Sequence, residues 1–200
     1  MSHLRFASSA PAEQQAELIA VIRSEDWLMD ALRKAEELGV EDVWIVAGAL
    51  YNTVWNRLTG RPSLQGIRDI DLFYFDPSDL SYEGEDRIIR RGETIFSGSP
   101  IPVEIRNQAR VHLWFGRHFG FDIAPIESCR DSICRFASVA YCVGVRLDAS
   151  GALDVFAPYG LTDLFSFRIR PNRFCDNRLT HARKAARAMT HWPELSVEQW

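Results

Sequence analysis

Apolar residues recur every three or four positions from Ala12 to Arg23. They do so again from Glu25 to Leu38, where Trp27, Leu28, Ala31, Leu32, Ala35 and Leu38 share one face. Two amphipathic helices are therefore expected. Ser24 is placed to cap the second, Glu25 and Asp26 suit its positive end, and Gly39 can terminate it. The pattern changes at Asp42 to Val46, where Val-Trp-Ile-Val reads as a buried strand ending at Ala47-Gly48. Ala49 to Leu58 then reads as a helix with Leu50, Val54, Trp55 and Leu58 inward, closing at Gly60. A polar loop from Arg61 to Arg68 leads into a second strand, Asp69 to Phe75. Beyond Asp76-Pro77-Ser78, a charged helix capped by Ser78 or Asp79 is expected through Arg91. Pro102 to Arg106 reads as a short third strand, followed by a helical stretch from Asn107 to Phe115.

Further on, Val139 to Leu147 and Ala152 to Phe156 flank Asp148-Ala149-Ser150-Gly151, a hairpin signal. Gly160 to Phe165 predicts a short helix, Arg170-Pro171-Asn172 a break, and Asp176 to Thr190 a basic helix. The order predicts an α+β fold, with a mixed β-sheet of about five strands and helices packed on it. A single domain is expected. It divides into a mobile leader over 1–11, N-terminal helices over 12–40, an α+β core over 41–166 and a basic helical segment over 167–200.

A chain of 200 residues buries enough surface to need no staples. Its 46% hydrophobic and 25% charged content excludes disorder. A net charge of −4 excludes a uniformly basic nucleic-acid binder. That average hides a division, because residues 168–191 hold seven Arg and Lys against Asp176 alone. This basic helix reads either as a solvated face or as a surface for a polyanion such as RNA, which would bind with strong salt dependence. The four cysteines, Cys129, Cys134, Cys142 and Cys175, show no CXXC spacing, so reduced thiols rather than a zinc site are expected. The longest uncharged run, Val43 to Asn56, is too short to span a bilayer. A cytoplasmic protein without a membrane partner is expected, and its oligomeric state stays open.

The sharpest chemical feature is Asp69-Ile70-Asp71 at the start of a strand. Strand side chains alternate, so both carboxylates face one side while Ile70 packs on the other. Two carboxylates some 6 Å apart repel by roughly 3 kcal/mol at an effective dielectric near 20, and a divalent cation offsets that directly. The competing reading is a solvated strand end. Glu104 stands between Val103 and Ile105 on the third strand, where an acid meets a metal, an Arg or water. At Val46-Ala47-Gly48-Ala49 a strand runs straight into a helix through a residue lacking a Cβ, leaving backbone N–H groups where a phosphate chain could approach.

Strand, Gly, helix, a strand with Asp-X-Asp, then a later strand with a third acid: this order resembles the DNA polymerase β-like nucleotidyltransferase superfamily. More narrowly, the chain is similar to the bacterial nucleotidyltransferase-like family formerly known as a domain of unknown function. The narrower resemblance rests on Ala47-Gly48, Asn52, Val54-Trp55-Asn56, Asp69-Ile70-Asp71 and Tyr74-Phe75-Asp76. It continues through Asn107 to Trp114, Val143 to Leu147, Gly160, Asp163-Leu164-Phe165 and Arg170-Pro171-Asn172.

The resemblance implies a metal-dependent enzyme that transfers an NMP group from an NTP to a hydroxyl acceptor and releases pyrophosphate. Asp69, Asp71 and Glu104 would be the catalytic and metal-binding residues, with Mg²⁺ or Mn²⁺ as cofactor. Glu104 would also accept the proton of the attacking hydroxyl. Gly48, Ala49, Asn52 and Arg68 would bind the nucleotide. The acceptor (RNA, protein or a small molecule) is not implied. Two departures stand out: Ala49 lacks the hydroxyl usual after the Gly, and Glu104 is one methylene longer than the usual Asp. They support the alternative of a weak or inactive nucleotide-binding or regulatory module of the same fold. A glycosyltransferase also uses Asp-X-Asp with a metal, but the third acid and the Gly-to-helix junction argue against it. Arg146 and Arg170 are expected to pair with acids, His112 to sit in the core, and Asn107, Gln108 and Arg110 to lie near the cleft.

Overall fold

The computed structural model describes residues 3–120 and 122–200. Helices α1 (Pro11–Arg23) and α2 (Asp26–Glu36) bury Leu18, Val21 and Ile22, and Leu28, Leu32 and Ala35, as the apolar spacing predicts. The boundary between them differs from expectation. Ser24 Oγ donates to Val21 O at 2.8 Å and so closes α1, and α2 starts at Asp26, with Glu25 in the N-cap position and no side-chain cap. Residues 3–9, expected as a leader, form turns beside α1, where Gln14 Nε2 donates to Phe6 O at 3.0 Å and Phe6 meets Phe165 edge-on.

The central sheet comprises β1 (Trp44–Val46), β2 (Ile70–Tyr74), β3 (Val103–Asn107), β4 (Gly144–Leu147) and β5 (Leu153–Phe156), in the order β3-β2-β1-β4-β5. β2 and β3 are parallel, and the other neighbours are antiparallel. The parallel pair needs a crossover, supplied by α4 (Tyr82–Ile95), which lies against β3 where Gly92 approaches Ile105. α4 begins later than expected. Asp79 folds back to accept from the N–H and hydroxyl of Ser81, and Ser81, not Ser78 or Asp79, caps the helix by accepting from Gly84 N at 3.0 Å.

Helix α3 (Gly48–Thr59) follows β1 and ends at Gly60 in the left-handed region. After β3 a 3-10 turn, Gln108–Arg110, leads into α5 (Val111–Phe119). The short helix α6 (Cys129–Cys134) was not predicted. It presses on the sheet at Gly144, where a Cβ would lie 2.6 Å from Ile133 Cδ1. The expected strand from Val139 is shorter than its apolar run. Val139–Tyr141 form a 3-10 turn, with Val139 N donating to Arg170 O, and only Gly144–Leu147 join the sheet. The chain closes with α7 (Thr162–Phe165), β6 (Arg168–Ile169), α8 (Arg178–His191) and β7 (Ser196–Val197), which pairs parallel with β6. Trp55 at the centre of the core contacts Tyr51, Tyr141, Phe167 and Trp192, tying α3 to the C-terminal elements.

Candidate active site

The turn from β1 into α3 pivots on Ala47, at φ 59° and ψ −135°. A residue with a Cβ in that region stores strain of about 1–3 kcal/mol. The pivot points its carbonyl at the helix: Leu50 N and Tyr51 N return to Ala47 O at 3.0 and 3.3 Å, and no side chain caps the helix. The N–H groups of Gly48 and Ala49 are therefore left at the helix start, at the positive end of its dipole. Gly48 keeps this approach open, since a Cβ there would stand 3.3 Å from Asn52 Nδ2.

Beside this turn lies a cleft of about 240 Å³, lined by Gly48, Asn52, Arg68, Asp69, Asp71 and Lys184 among others. Asp69 and Asp71 both face it, while Ile70 between them is fully buried. Parallel pairing sets Asp71 opposite Glu104 and Phe73 opposite Arg106. These residues occupy the open face of the sheet, whereas Leu72 and Ile105 turn into the core.

The electrostatics are concentrated at Asp71. Burial, followed by the charge of Asp69, pushes its carboxyl pKa up to about 6; Glu104 adds to the rise, and Lys184 and Arg106 oppose it. Opposite stand two cations of α8. Loss of water around it holds the Lys184 ammonium pKa below the usual lysine value, against the pull of Asp71 and Asp69, and Arg183 and Arg187 add to the fall. Arg187 is lowered by desolvation and by Arg68, so two guanidinium groups repel each other at one wall. A negative floor facing a crowded cationic wall suits a ligand that brings both a cation and an anionic chain.

The loop over residues 61–68 reaches the cleft because polar side chains staple it down. Asn56 Nδ2 donates to Ser63 O and Gln65 O at 3.0 and 2.9 Å, and Asn56 Oδ1 accepts from Trp192 Nε1 at 3.0 Å. Gly66 O accepts from Asn52 at 3.3 Å and from Arg187 at 2.9 Å. Asn52 thus lines the cleft while holding the loop that carries Arg68.

Two proposed site residues stand apart from this cleft. The Ala49 side chain is wholly buried in the core, so only its backbone can face the site. Glu104 is exposed, lies 3.6 Å from Arg106, and lines a neighbouring cavity that shares Lys184 with the cleft. Asn107 and Arg110 are structural: Asn107 bridges Asp76 and Ala109, and Arg110 pairs with buried Glu85. Gln108 accepts from Ser132 Oγ at 2.7 Å. Arg146 pairs with Asp154 and Arg170 with Asp163, as expected. His112 is only partly buried, with an Nδ1 that no hydrogen bond satisfies. Lys184, Arg187, Tyr51, Tyr141 and His191 line the cleft and were not picked out as site residues. The sequence points to Lys184 and Arg187 only as members of the basic 168–191 run, and their i, i+3 spacing is what places both on one face of the helix.

The donor chemistry at Asp69 and Asp71 fits a hard divalent cation: both are carboxylates, and Asp71 carries a charge that its surroundings disfavour. Among the described residues no group of three His, Cys, Asp or Glu side chains is arranged to hold a metal. Magnesium is commonly held by one or two carboxylates together with substrate phosphates. No helix among the described residues is long and apolar enough to cross a membrane.

Comparison with known proteins places the chain's family and fold. A family described as nucleotidyltransferase matches residues 33–197. No curated protein sequence matches the chain. A solved structure described as the NMR structure of a protein that reveals a CCA-adding enzyme head domain superposes with a TM-score of 0.75 at 24% identity, covering 97% of this chain and all of that one.

Proposed function

The chain belongs to this nucleotidyltransferase family, and on that premise we propose that it transfers a nucleoside monophosphate from an NTP to a hydroxyl acceptor, with release of pyrophosphate. The observation that carries this reading is the Asp69–Asp71 pair facing Lys184 and Arg187 beside the open start of α3. When bound, Mg²⁺ (or Mn²⁺), held by Asp69 and Asp71, supplies Lewis-acid charge at the reacting phosphate. Lys184, Arg187 and Arg68 neutralise the phosphate chain, and the N–H groups of Gly48 and Ala49 receive its outer oxygens. Glu104, one rung across from Asp71, takes the proton of the acceptor hydroxyl. The hydroxyl oxygen bonds to the α-phosphorus as the α–β bridging P–O bond breaks. Pyrophosphate carries that oxygen away.

The contact between Glu104 and Arg106 favours a second reading, nucleotide binding without turnover. Incubating the protein with each α-labelled NTP, Mg²⁺ or Mn²⁺ and a cell extract separates the two. Label moving into an acceptor with stoichiometric pyrophosphate supports transfer. Metal-dependent NTP binding with no pyrophosphate supports the binding module.

A further inference from the structure

Beyond the Asp71–Glu104 rung, the open face of the sheet does not end. It continues into a second cavity of about 310 Å³, which shares Lys184 with the first. Phe73, the next outward residue of β2, forms its floor and meets Phe136 edge-on at 5.9 Å. Val111 and Trp114 of α5 make one wall, and Thr180 and Lys184 of α8 the other. Glu104 lines this cavity and not the phosphate-side cleft.

The charges on its walls are largely matched from within. Arg135 makes a two-point contact with Asp131 at 3.0 and 2.8 Å, and Arg106 lies beside Glu104. The basic tail offers a polyanion little more. Of its seven cations, Arg168 pairs with Glu198, Arg170 with Asp163 and Arg178 with Asp176, while Lys184 and Arg187 turn into the phosphate-side cleft. The volume is that of a small-molecule site, and aromatic walls with few open charges select an uncharged planar group.

We propose that this cavity holds the acceptor, and that the acceptor is a small, uncharged molecule with an aromatic ring and a hydroxyl group, not RNA. This rests on the transfer reading, because Glu104 is the group placed to receive the hydroxyl proton. In that arrangement the two substrates enter from opposite sides of the Asp71–Glu104 rung, with the phosphate chain on the Gly48 side and the ring on the Phe73 side.

The fluorescent phenol 4-methylumbelliferone tests the proposal with the full chain. Saturable binding is expected, weakened at least about tenfold by Thr180→Trp, which fills the cavity from an α8 position, and weakened by Phe136→Leu. The hydroxyl of the bound probe should titrate lower by about half a unit or more in Glu104→Gln, because a nearby carboxylate raises a phenol's pKa. Absence of saturable binding, equal binding to Thr180→Trp, an unchanged titration in Glu104→Gln, or displacement of the probe by a single-stranded RNA oligonucleotide would each overturn it. Binding of Mg-ATP is measured in parallel on Asp71→Asn. Probe binding that meets every expectation while Mg-ATP binding ignores Asp71→Asn would overturn the transfer reading and leave the cavity's ligand class standing.

Discussion

Asp71 stands directly opposite Glu104 across the parallel β2–β3 pair, on the face of the sheet that also bears Phe73 and Arg106. Two carboxylates from strands distant in sequence are thereby set side by side, with Asp69 adding a third negative charge two residues upstream. The arrangement is costly without a cation, and that cost is measurable.

Neutralising Asp71 should stabilise the metal-free protein. Its folded pKa of about 6 lies above the ordinary value of 3.8. The folded state therefore holds the proton more tightly, and stability falls as pH rises from about 4 through 6. Asp71→Asn should remove that fall and raise stability at pH 7 by about 1–2 kcal/mol, less than the full shift implies because the side chain is partly solvated. Denaturant titrations at pH 4 and pH 7 check this. Added Mg²⁺ should stabilise the wild type and not the variant.

The strained pivot makes a second stability prediction. Ala47→Gly relieves the unfavourable φ of 59°, and the gain exceeds the extra chain entropy of glycine. An increase of up to about 1 kcal/mol is expected, read from the urea midpoint at unchanged slope.

Asn56 is the staple between α3, the 61–68 loop and Trp192. Asn56→Ala should cost about 2–4 kcal/mol, since two carbonyls and a buried indole N–H lose their partner. Nucleotide affinity should fall as well, because Arg68 follows from that loop. Isothermal titration on the folded fraction separates the two effects.

Within the basic helix, position and not charge alone should decide the outcome. Lys184→Met and Arg187→Met should each weaken NTP binding by about tenfold, as expected for losing a charge-assisted phosphate contact. Arg183→Met, exposed and outside the cleft, should leave it unchanged. Equal losses at all three positions would indicate a diffuse electrostatic surface instead.

Features governed by short-range pattern were legible in the sequence. The alternation at Asp69-Ile70-Asp71, the Gly48 turn, the 148–151 hairpin and the apolar stripes of α1 and α2 all depend on neighbours within a few residues. Side-chain competition for backbone groups was not legible. Ser24 donates back to Val21 O at the end of one helix, whereas Ser81 accepts from Gly84 N at the start of another. The local pattern does not distinguish the two uses of the hydroxyl. The return of α8 to the cleft was hidden too, because Lys184 and Arg187 sit in a run of cations whose inward face is set where Arg187 and Trp192 dock on Gly66 and Asn56, far away in the chain. Ala49 was assigned to the nucleotide from its place after Gly48. Its buried methyl shows that only the main chain at that position can face the site.

Pyrophosphate release, measured with each NTP, Mg²⁺ and a cell extract as acceptor source, tests the central claim most directly. The wild type should release pyrophosphate in step with label transfer, and Asp71→Asn should lose at least about a thousandfold in rate while remaining folded. Pyrophosphate release by Asp71→Asn at the wild-type rate would contradict the assignment of the Asp69–Asp71 cleft as the site of nucleotidyl transfer.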